Sequence, residues 1–322
     1  PLLLPVCLPL TTCFRPMPRS VVSYSDGHVY AFGPDMTPIY TAANGEPLTV
    51  ETTDSLEGAV QTESDLLEEM PEQVNAATGP IAVEGAGPGD VLAVQIEEVR
   101  LREDQGRVVI APGFGLLQGH EEIEHPSTRI TPVEGGPDGG HVLFGDIQLP
   151  VEPVIGTIGV ATAGETISTL IPHDHGGNLD TTDMGAGTTA YFPVFQEGAM
   201  LAMGDAKATM ADGEMCGTGA EIGVEIDLTV SVAENPPVDL RRPLVQTESA
   251  VKTIASAETL EAACKQATED LSRLLAREHD VSLTDAYMLA SLTGGLQISQ
   301  VVDPLVTVRC GVPGEQLPAP LV

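Results

Sequence analysis

From about Val21 to Val232 the chain is written in short apolar or alternating runs, and that rhythm restricts it to β architecture. The runs are EPLTVETTD (46–54), DVLAVQIEEVRL (90–101), HVLFGDIQLPV (141–151), AMLAMGDAKATM (199–210) and EIGVEIDLTVSV (221–232). Between them stand NGE, AGPGD, GGPDGG, QEG and ADGE, where Gly, Asn, Asp and Pro supply the backbone of tight turns. Period-2 alternation turns one side of each strand to a core. Many short strands at this spacing predict a mainly β fold, with a β-sandwich or jelly-roll-like body. Composition agrees: Gly (34) and Pro (26) are plentiful, aromatics are 3% and Trp is absent.

The texture changes near Pro236. SAETLEAACKQATEDLSRLLAREHD (256–280) opens with a Ser N-cap signal at Ser256, and Leu260, Ala263, Ala267, Leu271, Leu274 and Leu275 then recur at helical spacing. SLTDAYMLASLT (282–293) reads as a second helix, and GLQISQVVDPLVTVRCGVP (295–313) returns to strand. The expected organisation is an unstructured leader over 1–20, a β body over 21–235, and a small C-terminal α+β portion over 236–322 whose last strand rejoins the body. The leader begins PLLLPVCLPLTTC, which lacks a basic start and is broken by proline, so it makes a poor signal peptide; Met17 is a plausible natural start. No stretch is apolar enough over enough residues to predict a transmembrane helix.

The charge is extreme: 47 acidic residues against 14 basic ones, a formal net of −33, with only Lys207, Lys252 and Lys265 as lysines. The acids are scattered from Asp26 to Glu315, so no acidic tail explains the total. Such self-repulsion needs counter-ions, which points to the salt-rich cytoplasm of a halophile and against nucleic acid or an anionic membrane as partner. Five widely spaced cysteines (Cys7, Cys13, Cys216, Cys264, Cys310) form no C-x-x-C pair and read as reduced cytosolic thiols.

Familiar catalytic signatures are missing. EGAGPGD has no Gly-Lys-Ser/Thr ending, and there is no G-x-S-x-G elbow, no Ser-Ser-Lys amidase segment and no H-E-x-x-H zinc motif. What remains is acids: Asp54; then Asp174, Asp180 and Asp183; then Asp205, Asp212 and Glu214. Converging from a β scaffold they would bind a hard cation or orient a water, although a chain this acidic shows carboxylates in any segment. His173 and His175 flank a Gly-Gly turn, with His175 the candidate ligand and His173 a loop residue; His120 and His125 sit among solvated acids. Lys207, Glu214 and Cys216 together supply the residue types of a nitrilase-like nucleophile set, but all three fall on one hairpin, and Cys216 beside Gly217 also reads as a small packed residue.

Four longer blocks carry more information: NAATGPIAVEGAGPGDVLAVQIEEV (75–99), VEPVIGTIGVA (151–161), HGGNLDTTDMGAGTTAYFPVFQEGAMLAMGDAKATMADGEMCGTGAEIGVEI (175–226) and QISQVVDPLVTVR (297–309). In content, order and separation they resemble the acetamidase/formamidase family, from about His28 to Val312. The resemblance implies a β-sandwich body with a small α/β portion, hydrolysis of the C–N bond of formamide- or acetamide-like amides, a divalent metal (zinc or calcium), and a homo-oligomer. By motif it implies site residues Asp54, Gln61, Asn178, Asp180, Asp205 and Glu214. Two departures stand out: Lys207 occupies a position where members commonly carry His, and Ala211 precedes Asp212 where they carry Gly. An ammonium cannot ligate a metal without losing its proton.

The expected chemistry gives water activation to Asp180 or Glu214, substrate-oxygen donation to Asn178, and the polarising charge to Lys207 or to a metal on Asp54, Asp205 and His175. Gln61 and Gly177 would contact substrate. Two alternatives stay open, a lactam or larger primary-amide hydrolase and a non-catalytic protein that binds a cation or small molecule.

Overall fold

Strand Val91–Leu101 shows how the alternating pattern becomes a sheet. Leu92, Val94 and Ile96 are buried and Gln95 and Glu97 exposed; a register shift against Val224–Ala233 then changes the phase, so that Val99 and Leu101 point inward again. This strand lies fourth in a nine-stranded sheet: Ser20–Val22, Pro47–Glu51, Val224–Ala233, Val91–Leu101, Thr188–Pro193, Leu244–Gln246, Ala250–Ala257, Val306–Pro313 and Gly295–Gln300. The computed structural model describes residues 18–69, 71, 73–135, 140–233, 236, 239–318 and 320–321.

A second sheet runs Gly176–Asn178, Val154–Gly159, Leu201–Lys207, Ala77–Val83 and His28–Val29, with Tyr40–Ala42 alongside Ala77–Val83. Its Ile81, Ile155, Ile158, Leu201 and Met203 share one core with Leu48, Val50, Val94, Ile226 and Leu228 of the larger sheet. The fold is mainly β, two sheets packed face to face. Strands Val154–Gly159, Leu201–Lys207 and Ala77–Val83 are buried at every position. A polar side chain on them is therefore enclosed, which is how the sequence places charge inside the molecule. A four-stranded sheet (Gln105–Ile110, Ser127–Glu134, His141–Phe144, Ile147–Pro150) projects from this body. The expected single strand over 141–151 is instead a hairpin turning at Gly145–Asp146.

The C-terminal portion is less separate than the sequence predicts. Four of its strands extend the nine-stranded sheet, starting from the pairing of Thr188–Pro193 with Leu244–Gln246. Helices α1 (Leu260–Glu278) and α2 (Leu283–Thr293) cover them, with Leu271, Leu275, Ala286 and Ala290 packed on Val251, Ala255 and Val312. Ser256, expected as the N-cap, is still in strand; Thr259 caps α1 by accepting from the Ala262 amide. The run over 295–313 divides into two antiparallel strands around a tip at 301–305. Of the expected leader, residues 1–17, with Met17, Cys7 and Cys13, lie outside the described residues, as do residues 136–139 of the GGPDGG turn. Arg19 and Ser20 belong to the body: Arg19 pairs with Glu97 and Asp227, and Ser20 opens the edge strand. Cys216, Cys264 and Cys310 are free thiols. Among the described residues, no helix is long and apolar enough to cross a membrane.

Candidate active site

Lys207 closes the central strand of the smaller sheet, and its side chain is 1% exposed. A buried ammonium persists only when other groups replace its hydration. Here Nζ donates to Asp180 Oδ1 and, at 2.7 Å, to Asp205 Oδ2, while Glu214 Oε1 stands 3.4 Å away. Burial alone would lower the Lys207 pKa; the charges of Asp180, Asp205, Glu214 and Glu221 outweigh it and hold the ammonium well above its ordinary value. Burial drives the carboxyls of Asp205 and Glu214 well above the usual range, with the Lys207 charge opposing it in both.

The backbone around this centre is unusual. Among the described residues, eight non-glycine positions have positive φ, and Asn75 (63°), Asp180 (42°), Asp205 (54°) and Glu214 (44°) are four of them. Asn and Asp adopt this conformation more readily than most residues; Glu does not. Three of these four carry the carboxylates that converge on one ammonium, so local strain is spent on aiming them. Gly156 on the neighbouring strand lies beneath them. A Cβ there would run into Lys207 Nζ, Asp180 Oδ1 and Asp205 Oδ2, so only glycine leaves space for the three groups to meet. Its carbonyl also accepts from the amides of Leu179 and Asp180, which holds the Gly-Gly-Asn-x-Asp turn against the strand.

A second ring of polar groups lies alongside. Asn178 Oδ1 accepts from Thr157 Oγ1 (2.5 Å) and Asn75 Nδ2 (3.0 Å), and its Nδ2 donates to Asp303 Oδ2 (2.9 Å). Glu221 accepts from Ser55 Oγ (2.8 Å) and the Gly219 amide (2.9 Å). Asn178, Asp205, Lys207, Glu214, Glu221 and Asp303 line one end of a cavity of about 50 Å³. Leu56, Val74, Val109, Phe114 and Leu170 also line it. Burial also raises the carboxyls of Glu221 and Asp303. Five carboxyl groups (Asp180, Asp205, Glu214, Glu221, Asp303) stand around one ammonium, so the centre is not a matched salt bridge.

Several residues expected at the site lie elsewhere. Asp54 is buried beneath a turn, accepting from the amides of Leu56 (3.0 Å) and Gly58 (2.9 Å) and paired with Arg107 at 3.1 Å. Gln61 is exposed and donates to the Gly58 carbonyl. Gly177 does not line the cavity; it makes the tight turn, with φ at 85° and the Ile171 carbonyl where a Cβ would stand. His175 packs against Phe32 and lines a different cavity with His173 and Glu165. Burial, helped by His173, lowers its pKa to about 3, so the ring is neutral. Cys216 Sγ faces the Thr218 carbonyl, leaving the nitrilase-like set without a thiol at the centre.

Asp54, Asp205 and His175 thus do not converge. Among the described residues, no group of three or more His, Cys, Asp or Glu side chains is arranged to hold a metal ion. The three carboxylates that do converge are turned onto an ammonium. The donor set does not fit a divalent metal.

Sequence reasoning missed Gly156, Asp303, Glu221, Ser55, Asn75 and Thr157 as site residues. Asn75 begins the Asn-x-x-Thr-Gly-Pro block and Asp303 lies within QISQVVDPLVTVR, so both were within reach.

Comparison with known proteins decides the family. The acetamidase/formamidase family model matches residues 23–169 and 160–315. The chain belongs to the acetamidase/formamidase family. Among family structures, the predicted acetamidase/formamidase of Thermoanaerobacter tengcongensis superposes with a TM-score of 0.87 at 38% identity, covering 93% of this chain and 97% of that one. The acetamidase of Bacillus halodurans gives 0.86 at 38% identity, covering 93% and 100%. A formamidase of Methylophilus methylotrophus is 25% identical over 272 residues, 65% of each protein, so the match spans just under two thirds of that relative's length.

Proposed function

We propose that this protein hydrolyses the C–N bond of a small linear amide, formamide- or acetamide-like, to a carboxylate and ammonia. The observation that carries the reading is the buried Lys207 ammonium on the wall of a small cavity that four carboxyl groups (Asp205, Glu214, Glu221, Asp303) and the Asn178 amide also line. Family membership and the acetamidase and formamidase names of its relatives point the same way. A cavity of about 50 Å³ suits a substrate of a few heavy atoms.

Amide hydrolysis needs a nucleophilic water, a charge to hold the tetrahedral oxyanion and an acid for the leaving nitrogen. Glu214 lines the cavity and is the group to take a proton from the attacking water. Asp180 is fully buried against Lys207 and absent from the cavity wall, so it positions the ammonium. Lys207, with the second N–H of Asn178, stabilises the oxyanion. Asn178 cannot turn over, because its oxygen already accepts from Thr157 and Asn75. Such preorganised donors cost no rearrangement at the moment of reaction.

The test is ammonia release over a series of short amides, with Asp180→Asn and Glu214→Gln made separately. Each variant is expected to lose about 10²-fold or more in kcat/KM. Unchanged turnover in Glu214→Gln would remove it as the base, and no turnover of any short amide by the unmodified protein would sink the reading.

A further inference from the structure

That reaction still lacks the acid that protonates the leaving nitrogen. We propose that Asp303, delivered by the hairpin tip of the C-terminal portion, is this acid and that Gln300 positions it. The inference rests on the amidase reading above.

The carboxyls on the cavity wall differ in how their oxygens are occupied. Asp205 and Glu214 face the ammonium. Glu221 accepts two donors, one on each oxygen, and so has both oxygens occupied, although burial still raises its carboxyl. Among the described residues, Asp303 accepts a single hydrogen bond, from Asn178 to Oδ2, and forms no ion pair with Lys207. Asp303 lines the same cavity, and Oδ1 is not engaged by that bond. The surrounding charges set its protonation: burial and the Asp180 charge raise its pKa, the Asn178 hydrogen bond and Lys207 lower it, and Asp205 raises it further. Glu214 adds to that repulsion from the facing turn.

Asp303 is held in place on both sides. Gln300 is fully buried at the base of the tip; Oε1 accepts from the amides of Val302 (2.9 Å) and Asp303 (3.0 Å). Its Nε2 donates to the Leu305 carbonyl (2.6 Å) and Thr307 Oγ1 (3.0 Å), so one amide side chain clamps the loop at both ends. The turn carrying Glu214 docks on the same place, with the Gly213 amide donating to Ser299 O at 2.7 Å. The base and the acid are thereby set on one frame.

The proton balance closes. Water adds its oxygen to the carbonyl carbon and gives one proton to Glu214. The C–N bond breaks as Asp303 gives its proton to nitrogen, releasing ammonia and a carboxylic acid. The carboxylic acid returns its proton to Asp303, and ammonia takes the proton from Glu214 and leaves as ammonium. Both side chains end as they began.

The experiment compares the unmodified protein with Asp303→Asn and Asp303→Glu in two readouts. First, the infrared spectrum of the resting protein is expected to contain a protonated-carboxyl C=O stretch that Asp303→Asn removes and Asp303→Glu retains. Second, kcat/KM for a short amide is expected to fall about 10²-fold in Asp303→Asn, with loss of the alkaline limb of the pH profile, and to be partly rescued by Asp303→Glu. Gln300→Ala should shift that limb and lower kcat more than it raises KM. An unchanged infrared band, or an Asp303→Asn variant that keeps both its rate and its alkaline limb, overturns the assignment. A protein that shows the band and turns over no amide instead overturns the amidase reading, so the two failures are told apart.

Discussion

Two ion clusters lie side by side in this molecule, one around Arg309 that reaches solvent and one buried around Lys207, and they are built on opposite principles. Around Arg309, the guanidinium pairs with Asp183 and Asp212 at 2.5 Å and donates to Thr182, while Lys252 donates to both oxygens of Asp183. Two cations meet two carboxylates, and none of the four lines the small cavity. Around Lys207, one cation meets five carboxyl groups at the edge of that cavity. Both clusters draw on the same two segments, residues 180–183 and 205–214. A matched cluster fastens the C-terminal sheet to the Gly-Gly-Asn-x-Asp turn; an unmatched one sets carboxyl groups that can give or take a proton beside the cavity.

The sharpest way to break the contrast is Lys207→Met. It removes the only cation in the unmatched cluster, and kcat/KM is expected to fall by about 10³-fold. The variant should also lose stability at neutral pH and recover it as acid neutralises the orphaned carboxylates, which thermal melts would follow. Arg309→Met should give the reverse balance, losing about 1–3 kcal/mol in denaturant titrations while kcat/KM drops less than ~10-fold, since Lys252 still pairs Asp183 and Asp212 reaches solvent. Comparable activity losses in the two variants would erase the distinction.

The smallest effect is a change of slope with pH. The Glu214 carboxyl is raised in the folded protein, so the fold binds that proton more tightly than the unfolded chain. Its contribution to stability is full below the unfolded value of about 4.3 and fades as pH climbs through the higher folded value. Glu214→Gln should therefore flatten the fall in melting temperature above about pH 4.5 relative to the unmodified protein. An unaltered slope would show that the Glu214 carboxyl does not titrate higher in the folded protein than in the unfolded chain.

How much of this was readable in the sequence depended on distance along the chain. Asp205, Lys207 and Glu214 lie on one hairpin, and Asn178 and Asp180 in one turn, so their meeting needed only local geometry. The fold class followed for the same reason, since alternation and turn residues act over a few positions. Asp303 needed knowledge that a run reading as continuous strand breaks at 301–305, where a buried glutamine side chain supplies hydrogen bonds in place of a ladder. Gly156 carries no chemistry of its own and matters by what it omits. Asp54 misled in the other direction: its position invited a metal, but Arg107, from a distant strand, claims its charge.

The nine-stranded sheet has a consequence for truncation. Strands from both halves of the chain lie in it side by side, and its last hairpin is the one that reaches Asn178. A chain ending before Gly295 would lack this hairpin and, with it, Asp303 and the frame on which the proposed reacting groups meet. The last hairpin is therefore as necessary to the proposed site as the residues that line the cavity.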